Sequence, residues 1–168
     1  MKADLYPIDG VPCGRLAIMP RPRAGDWLAG EIESWEQSGV NCVVSLLEPA
    51  EVAELGLQDE QELCAKAGIE FLQFPIPDRG VPQSGEDLSV LVQALAHHMR
   101  EGRGVAIHCR IGVGRSALVA ACALVALGRP IESAWQSIQA ARGFSVPDTP
   151  EQRTWVATFC AGNAKLRR

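Results

Sequence analysis

The sequence predicts an α/β fold: a single three-layer domain over residues 1–168, with a largely parallel central sheet of about four to five strands flanked by helices. Three observations carry that prediction. Short strand-like apolar runs recur at 16–19, 41–47, 70–74 and 105–107, with helical stretches between them, and connections of that length join parallel strands. The stretch 105–127 reads as strand, tight loop and helix without a break. Bulk composition is that of one globular core: 168 residues, 47% hydrophobic and 21% charged, with no internal repeat, low-complexity segment or linker.

In chain order, residues 1–14 are rich in Pro and Gly and read as an irregular lead-in. Leu16-Ala17-Ile18-Met19 is a short strand closed by Pro20, and a loop with Arg21 and Arg23 follows. Asp26 is a candidate N-cap for a helix through Trp27, Leu28, Ile32 and Trp35, which Gly39 ends. Asn41–Leu47 is apolar enough for a strand buried on both faces. From Glu48 to Ala67 the chain is acidic and helical, interrupted at Gly56, and its carboxylates read as a solvated helix face. Glu70–Phe74 is the next strand. Pro75–Pro82 holds three prolines and a glycine, so it is a stiffened loop, and it carries Asp78. Ser84 caps a helix that runs to Arg100 and includes a surface pair, His97 and His98. Past the strand at 105–107 come a helix over 117–127, another over 131–141, a loop, and a last helix from 148–151 to Gly162. A frayed basic tail, 163–168, closes the chain.

Residues 105–116, Val-Ala-Ile-His-Cys-Arg-Ile-Gly-Val-Gly-Arg-Ser, concentrate the chemistry. Backbone N–H groups of a loop feeding a helix N-terminus point inward, and the helix dipole adds positive potential there. Gly112 and Gly114 permit the positive φ angles and close backbone approach that such an anion nest needs. Arg115 supplies a planar fork for two phosphate oxygens, and the same field stabilises Cys109 as the nucleophilic thiolate. The plain alternative is a buried structural cysteine in a glycine-rich turn.

The motif resembles the Cys-x5-Arg phosphate loop of protein tyrosine and dual-specificity phosphatases, including the leading His108 and the trailing Ser116. Rhodanese-like domains also cradle anions beside a cysteine, but the Arg-Ser helix start fits the phosphatases better. The resemblance implies a phosphate cradle built from Arg110, Ile111, Gly112, Val113, Gly114 and Arg115. It implies Asp78 as general acid, on a Pro-Ile-Pro-Asp loop similar to the kinase-associated phosphatase type. His108 is expected to orient the loop, Ser116 to donate to the Cys109 sulfur, and Gln152 to position the hydrolytic water. Glu86 and Asp87 are the fallback acids. The implied reaction runs through a cysteinyl-phosphate intermediate, with no metal and no other cofactor.

Substrate class is narrowed only in part. Tyr6 is the single tyrosine, and there is no counterpart of the tyrosine-bearing recognition loop of the larger tyrosine-specific enzymes. Ile111 and Val113 stand where relatives acting on inositol lipids tend to carry basic residues. A phosphoprotein is therefore expected as partner, phosphotyrosine ahead of phosphoserine or phosphothreonine. A small-molecule, lipid or RNA phosphate stays open, as does a non-catalytic phosphate-binding module. The net charge of −4 argues against general nucleic-acid binding. The longest apolar run, Ala117–Leu127, is too short to cross a bilayer, and the start of the chain lacks the apolar segment of a signal peptide, so the expected location is cytoplasmic. Six cysteines (13, 42, 64, 109, 122 and 160) have no metal-ligand spacing. One of them pairing with Cys109 under oxidation is left open.

Overall fold

A computed structural model describes residues 4–163 and Leu166. Five strands form one sheet in the order β1-β2-β5-β3-β4. These are β1 (Tyr6–Pro7), β2 (Arg15–Met19), β3 (Val40–Ser45), β4 (Glu70–Gln73) and β5 (Gly104–His108). β2, β5, β3 and β4 are mutually parallel, and β1 runs antiparallel along β2, pairing Tyr6 with Ile18. The lead-in is thus not wholly irregular: Tyr6 and Pro7 complete the sheet edge, and the Ile8 N–H bonds to the Leu16 carbonyl at 2.9 Å.

The helices are α1 (Leu28–Gln37), α2 (Pro49–Leu55), α3 (Glu60–Lys66), α4 (Gly85–Arg100), α5 (Arg115–Ala126), α6 (Ile131–Arg142) and α7 (Pro150–Gly162). They cover both faces, and the strands' two-residue period sorts the side chains between them. On β5, Val105 and Ile107 join the core formed with α4, α5, α6 and α7, while Ala106 joins the one formed with α1 and α3. His108 has the parity of Ala106, and its ring centroid lies 6.4 Å from that of Trp35 on α1. Helix α5 is buried at all twelve positions, because α4, α6 and α7 close over the side that the sheet leaves.

The boundaries depart from expectation where local chemistry competes. Asp26 caps nothing; it sits inside a 3₁₀ turn, Gly25–Trp27, that leads into α1. Ser84 does cap α4, accepting from the Asp87 N–H at 3.1 Å. The acidic stretch breaks at Gly56, which takes the left-handed conformation (φ 69°) that ends α2. Its carboxylates are not all solvated: Glu51 and Glu60 are only 8% and 2% exposed. His98 also leaves the surface role, meeting Glu70 at 2.6 Å. Residues 164, 165, 167 and 168 of the expected frayed tail lie outside the described residues, but Leu166 is buried in the core.

Candidate active site

Two connections meet at one spot beyond the carboxyl ends of the parallel strands, where open α/β sheets bind ligands. β5 delivers Cys109, the loop 109–114 turns into α5 at Arg115, and the segment after β4 brings in Asp78. Cys109, Arg115 and Asp78 line one pocket of about 80 Å³, together with Arg79, Ile111 and Asp148. A larger hollow of about 550 Å³, on the β4–α4 edge, contains neither cysteine nor arginine.

Backbone geometry shapes the loop. Gly112 has φ +82°, and a Cβ there would stand 2.6 Å from the carbonyl of Met19 at the end of β2, so only glycine fits. Its N–H donates to Cys109 Sγ at 3.2 Å. On the outer side, Arg142 of α6 donates from Nε to the Gly112 carbonyl at 3.0 Å and from Nη2 to the Ile111 carbonyl at 3.2 Å. With its carbonyls held outward, the loop keeps N–H groups for the pocket. Arg142 also lies over the rings of Tyr6 and Phe144, at 4.0 and 4.9 Å. Nothing in the sequence near Arg142 marked it for this work. Gly114 is needed for another reason: its φ is −91°, but a side chain would run into the Asp148 carboxylate.

Arg115 is 2% exposed and fully engaged. Nη1 and Nη2 grip both oxygens of Glu51 at 2.7 and 2.9 Å, Nη1 also donates to the Ile76 carbonyl at 2.9 Å, and Nη2 reaches Asp78 Oδ1 at 3.1 Å. Burial works against its charge, but the Glu51 hydrogen bonds and the nearby Cys109, Glu51 and Asp78 raise its pKa further, so it stays a cation. For Glu51, burial pushes the carboxyl up; hydrogen bonds from Arg115 and the Glu48 N–H, with the charges of Arg115 and Arg110, outweigh it and hold the carboxyl below its ordinary value. Glu51 was missed in the solvated-face reading. Its local role was legible, because a proline at the helix start and Glu at the third helical position form a capping box with Glu48. Its contact with Arg115, 64 residues away, left no local trace.

The remaining expected residues divide. His108 is completely buried, with Nδ1 3.2 Å from the Cys109 carbonyl and Nε2 2.6 Å from Glu60 Oε1. Ile111 is 62% exposed at the pocket wall, and Val113 packs against the core. The Arg110 side chain is drawn to α2, donating to Glu54 at 3.2 Å. Two expectations need correction. The buried Ser116 hydroxyl does not bond to Cys109; it has no hydrogen-bond partner here, and the Gly112 N–H serves the sulfur instead. Gln152 is fully buried away from the pocket, its oxygen accepting from the Thr149 N–H at 3.2 Å and its nitrogen donating to the Gly80 carbonyl at 2.9 Å. It caps α7 and ties that helix to the Asp78 loop. Glu86 and Asp87, the fallback acids, lie in the first turn of α4 and do not line the pocket.

Arg79, next to Asp78, adopts φ 58°, held by the turn in which the Gly80 N–H bonds to the Pro77 carbonyl at 2.8 Å. Among the described residues, one cluster has the makings of a metal site, Cys42 with Glu70 and His98; it lies at the opposite end of the strands from Cys109.

Comparison with known proteins places the chain in a family. The family model described as "Tc-R-P: Polymorphic toxin system, DSP-PTPase phosphatase" matches residues 17–129, more than half of the chain. Rat (Rattus norvegicus) cyclin-dependent kinase inhibitor 3 is 30% identical over 131 residues, which are 77% of this chain but only 61% of that relative. The chain thus spans about three fifths of that relative's length. A crystal structure of kinase associated phosphatase, with its catalytic-site cysteine replaced by serine, superposes with a TM-score of 0.86 at 23% identity, covering 99% of this chain and 97% of that one. PTPMT1 in complex with PI(5)P superposes with a TM-score of 0.72 at 22% identity, covering 88% and 90%. At those identities the two structures speak for the fold.

Proposed function

We propose, from the premise that this chain belongs to the DSP-PTPase phosphatase family, that it hydrolyses phosphomonoesters on protein side chains through a cysteinyl-phosphate intermediate. The observation that carries this reading is the meeting of Cys109, Arg115 and Asp78 in a single small pocket, with Asp78 already hydrogen-bonded to the arginine.

In the proposed reaction the phosphoryl group takes the place of Asp78 on the outer edge of the Arg115 fork and accepts from the loop N–H groups. Glu51 keeps the inner edge of the guanidinium in register throughout. The Cys109 thiolate attacks phosphorus in line, the S–P bond forming as the P–O bond breaks. Asp78, freed from Arg115 and protonated from solvent, gives that proton to the departing oxygen. Water then attacks the phosphocysteine, passes a proton to Asp78, and the S–P bond breaks to regenerate the thiolate. The fixed donors stabilise the equatorial charge without rearranging.

A phosphoprotein substrate is supported by the lack of added positive charge at Ile111 and Val113 and by the open, partly apolar rim at Ile111. Phosphotyrosine should turn over fastest, since phenoxide is the better leaving group. The structural neighbour PTPMT1, which holds PI(5)P in its crystal structure, keeps an inositol phosphate as the second reading.

The test is hydrolysis of an aryl phosphate, in a reducing buffer with a chelator, by wild type, Cys109→Ser and Asp78→Ala. Turnover is expected to vanish in the first variant and to fall about 10²–10⁴-fold in the second. Activity retained by Cys109→Ser would sink the mechanism. Phosphate binding without wild-type turnover would instead identify a binding module. A parallel panel of phosphopeptides and inositol phosphates then assigns the substrate class.

A further inference from the structure

The pair formed by His108 and Glu60 is the least solvated ionisable contact next to the nucleophile: side-chain exposures are 0% and 2%, and Nε2 lies 2.6 Å from Glu60 Oε1. The opposite ring nitrogen, Nδ1, faces the Cys109 carbonyl at 3.2 Å. A carbonyl oxygen only accepts, so Nδ1 must carry a hydrogen to bond there. An ionised carboxylate only accepts, so Nε2 must carry one too. Two acceptors therefore flank a single ring, and the imidazolium is the form that satisfies both. The alternative places the extra proton on Glu60; the 2.6 Å separation is as short as a charge-assisted bond, which favours the ion pair. Neither group is stranded as an isolated buried charge, because each compensates the other.

We propose that Glu60 is a positioning residue for the reaction at Cys109, holding His108 as a buried, doubly protonated imidazolium. This rests on the reading of Cys109 as nucleophile. The ring then does two things. Its Nδ1–H clamps the Cys109 carbonyl, which sets where the loop leaves β5, while the His108 carbonyl is itself held by the Leu46 N–H at 3.0 Å. The ion pair is also a dipole with its positive end nearer the sulfur, which favours the thiolate. Around the ring, α1 contributes Trp35, the flanking strands place Met19 and Ser45 at the same register, and α3 adds Cys64 beside Glu60. On the loop side lie Cys109 and the Arg115 guanidinium, whose charge Glu51 and Asp78 balance. Because Glu60 is 48 residues from His108 and stands in an acidic run, the sequence alone presents it as one more surface carboxylate.

The experiment is nitrogen-15 NMR of the histidine rings in the full chain, joined to alkylation of Cys109 by iodoacetamide. There are three histidines, so His108→Asn assigns the resonance. In wild type at pH 8, His108 is expected to show both ring nitrogens protonated. In Glu60→Gln, the amide can donate to Nε2, so the ring should drop to one proton, and alkylation at pH 6 should slow about tenfold. Far-UV circular dichroism confirms that this isosteric variant is folded, and the wild-type spectrum stands as a test without it. A bare nitrogen on His108 in wild type, or both protons retained in Glu60→Gln, overturns the proposal. The two readings fail separately. Normal aryl phosphate turnover with a singly protonated ring removes only this inference. A doubly protonated ring and Glu60-dependent alkylation, in a protein with no turnover, uphold it while removing the hydrolase reading.

Discussion

Arg115 holds two carboxylates that differ in every respect that matters. Glu51 is buried and bidentate; Asp78 has a side chain 55% exposed and a single 3.1 Å contact. A half-solvated pair of the second kind contributes about 0–1 kcal/mol, so the proposed displacement of Asp78 from the guanidinium would cost little. Removing Glu51 strands a buried cation instead. Glu51→Gln should lose about 3–5 kcal/mol at pH 7 and lower kcat/KM by about 10²-fold through a mis-set guanidinium. The pH dependence has a definite sign. The folded carboxyl titrates below its ordinary value, so its contribution is complete above about pH 5 and is lost as pH falls through the folded value. Urea unfolding of wild type and variant at pH 7 and again near pH 3 checks this: the gap should close in acid, and an unchanged gap would exclude the ion pair as its source. At this scale the sequence was legible where chemistry is local. Cys109, Arg115 and Asp78 declare themselves within short motifs, whereas Glu51, Glu60 and Arg142 act across 30 to 64 residues with nothing nearby to mark them.

At the scale of elements, two helix starts meet the site. Gly114 has backbone angles open to any residue, and the nearest atoms a side chain would meet are the carboxylate and Cβ of Asp148. Gly114→Ala should destabilise by about 1–3 kcal/mol and distort the loop, and Asp148→Ala in the same chain should restore both stability and turnover. Failure of that rescue would place the constraint in the backbone. Helix α7 starts with a reciprocal cap between Thr149 and Gln152, and only Gln152 reaches on to Gly80. Thr149→Ala and Gln152→Ala should each lose about 1 kcal/mol of stability, but kcat should fall only in the second. Equal kcat in the two variants would remove the link to the Asp78 loop. The misread elements share one physical cause. A helix boundary depends on a few competing hydrogen bonds, and at Gly25–Trp27 a tight turn used the positions where Asp26 could have capped α1.

Across the whole molecule, periodicity carried the architecture because both faces of the sheet are covered: apolar strands between helices admit few other arrangements. The short antiparallel edge at Tyr6–Pro7 escaped because two residues have no measurable period and Pro usually argues against a strand. Function was legible to the level of a phosphatase family and no further, since the rim of the Cys109 pocket is assembled from Ile111, Arg79 and Asp148, residues far apart in the chain. One feature of the core reaches beyond packing. All twelve residues of α5 are buried beneath three other helices and the sheet, and its first residue is Arg115. No fraying or partial opening can bring its amide hydrogens to solvent while its neighbours stay in place. In heavy water the α5 amides should therefore exchange last, at a rate that reports the free energy of unfolding the entire chain. The helix that begins at Arg115 would then be lost only when everything else is.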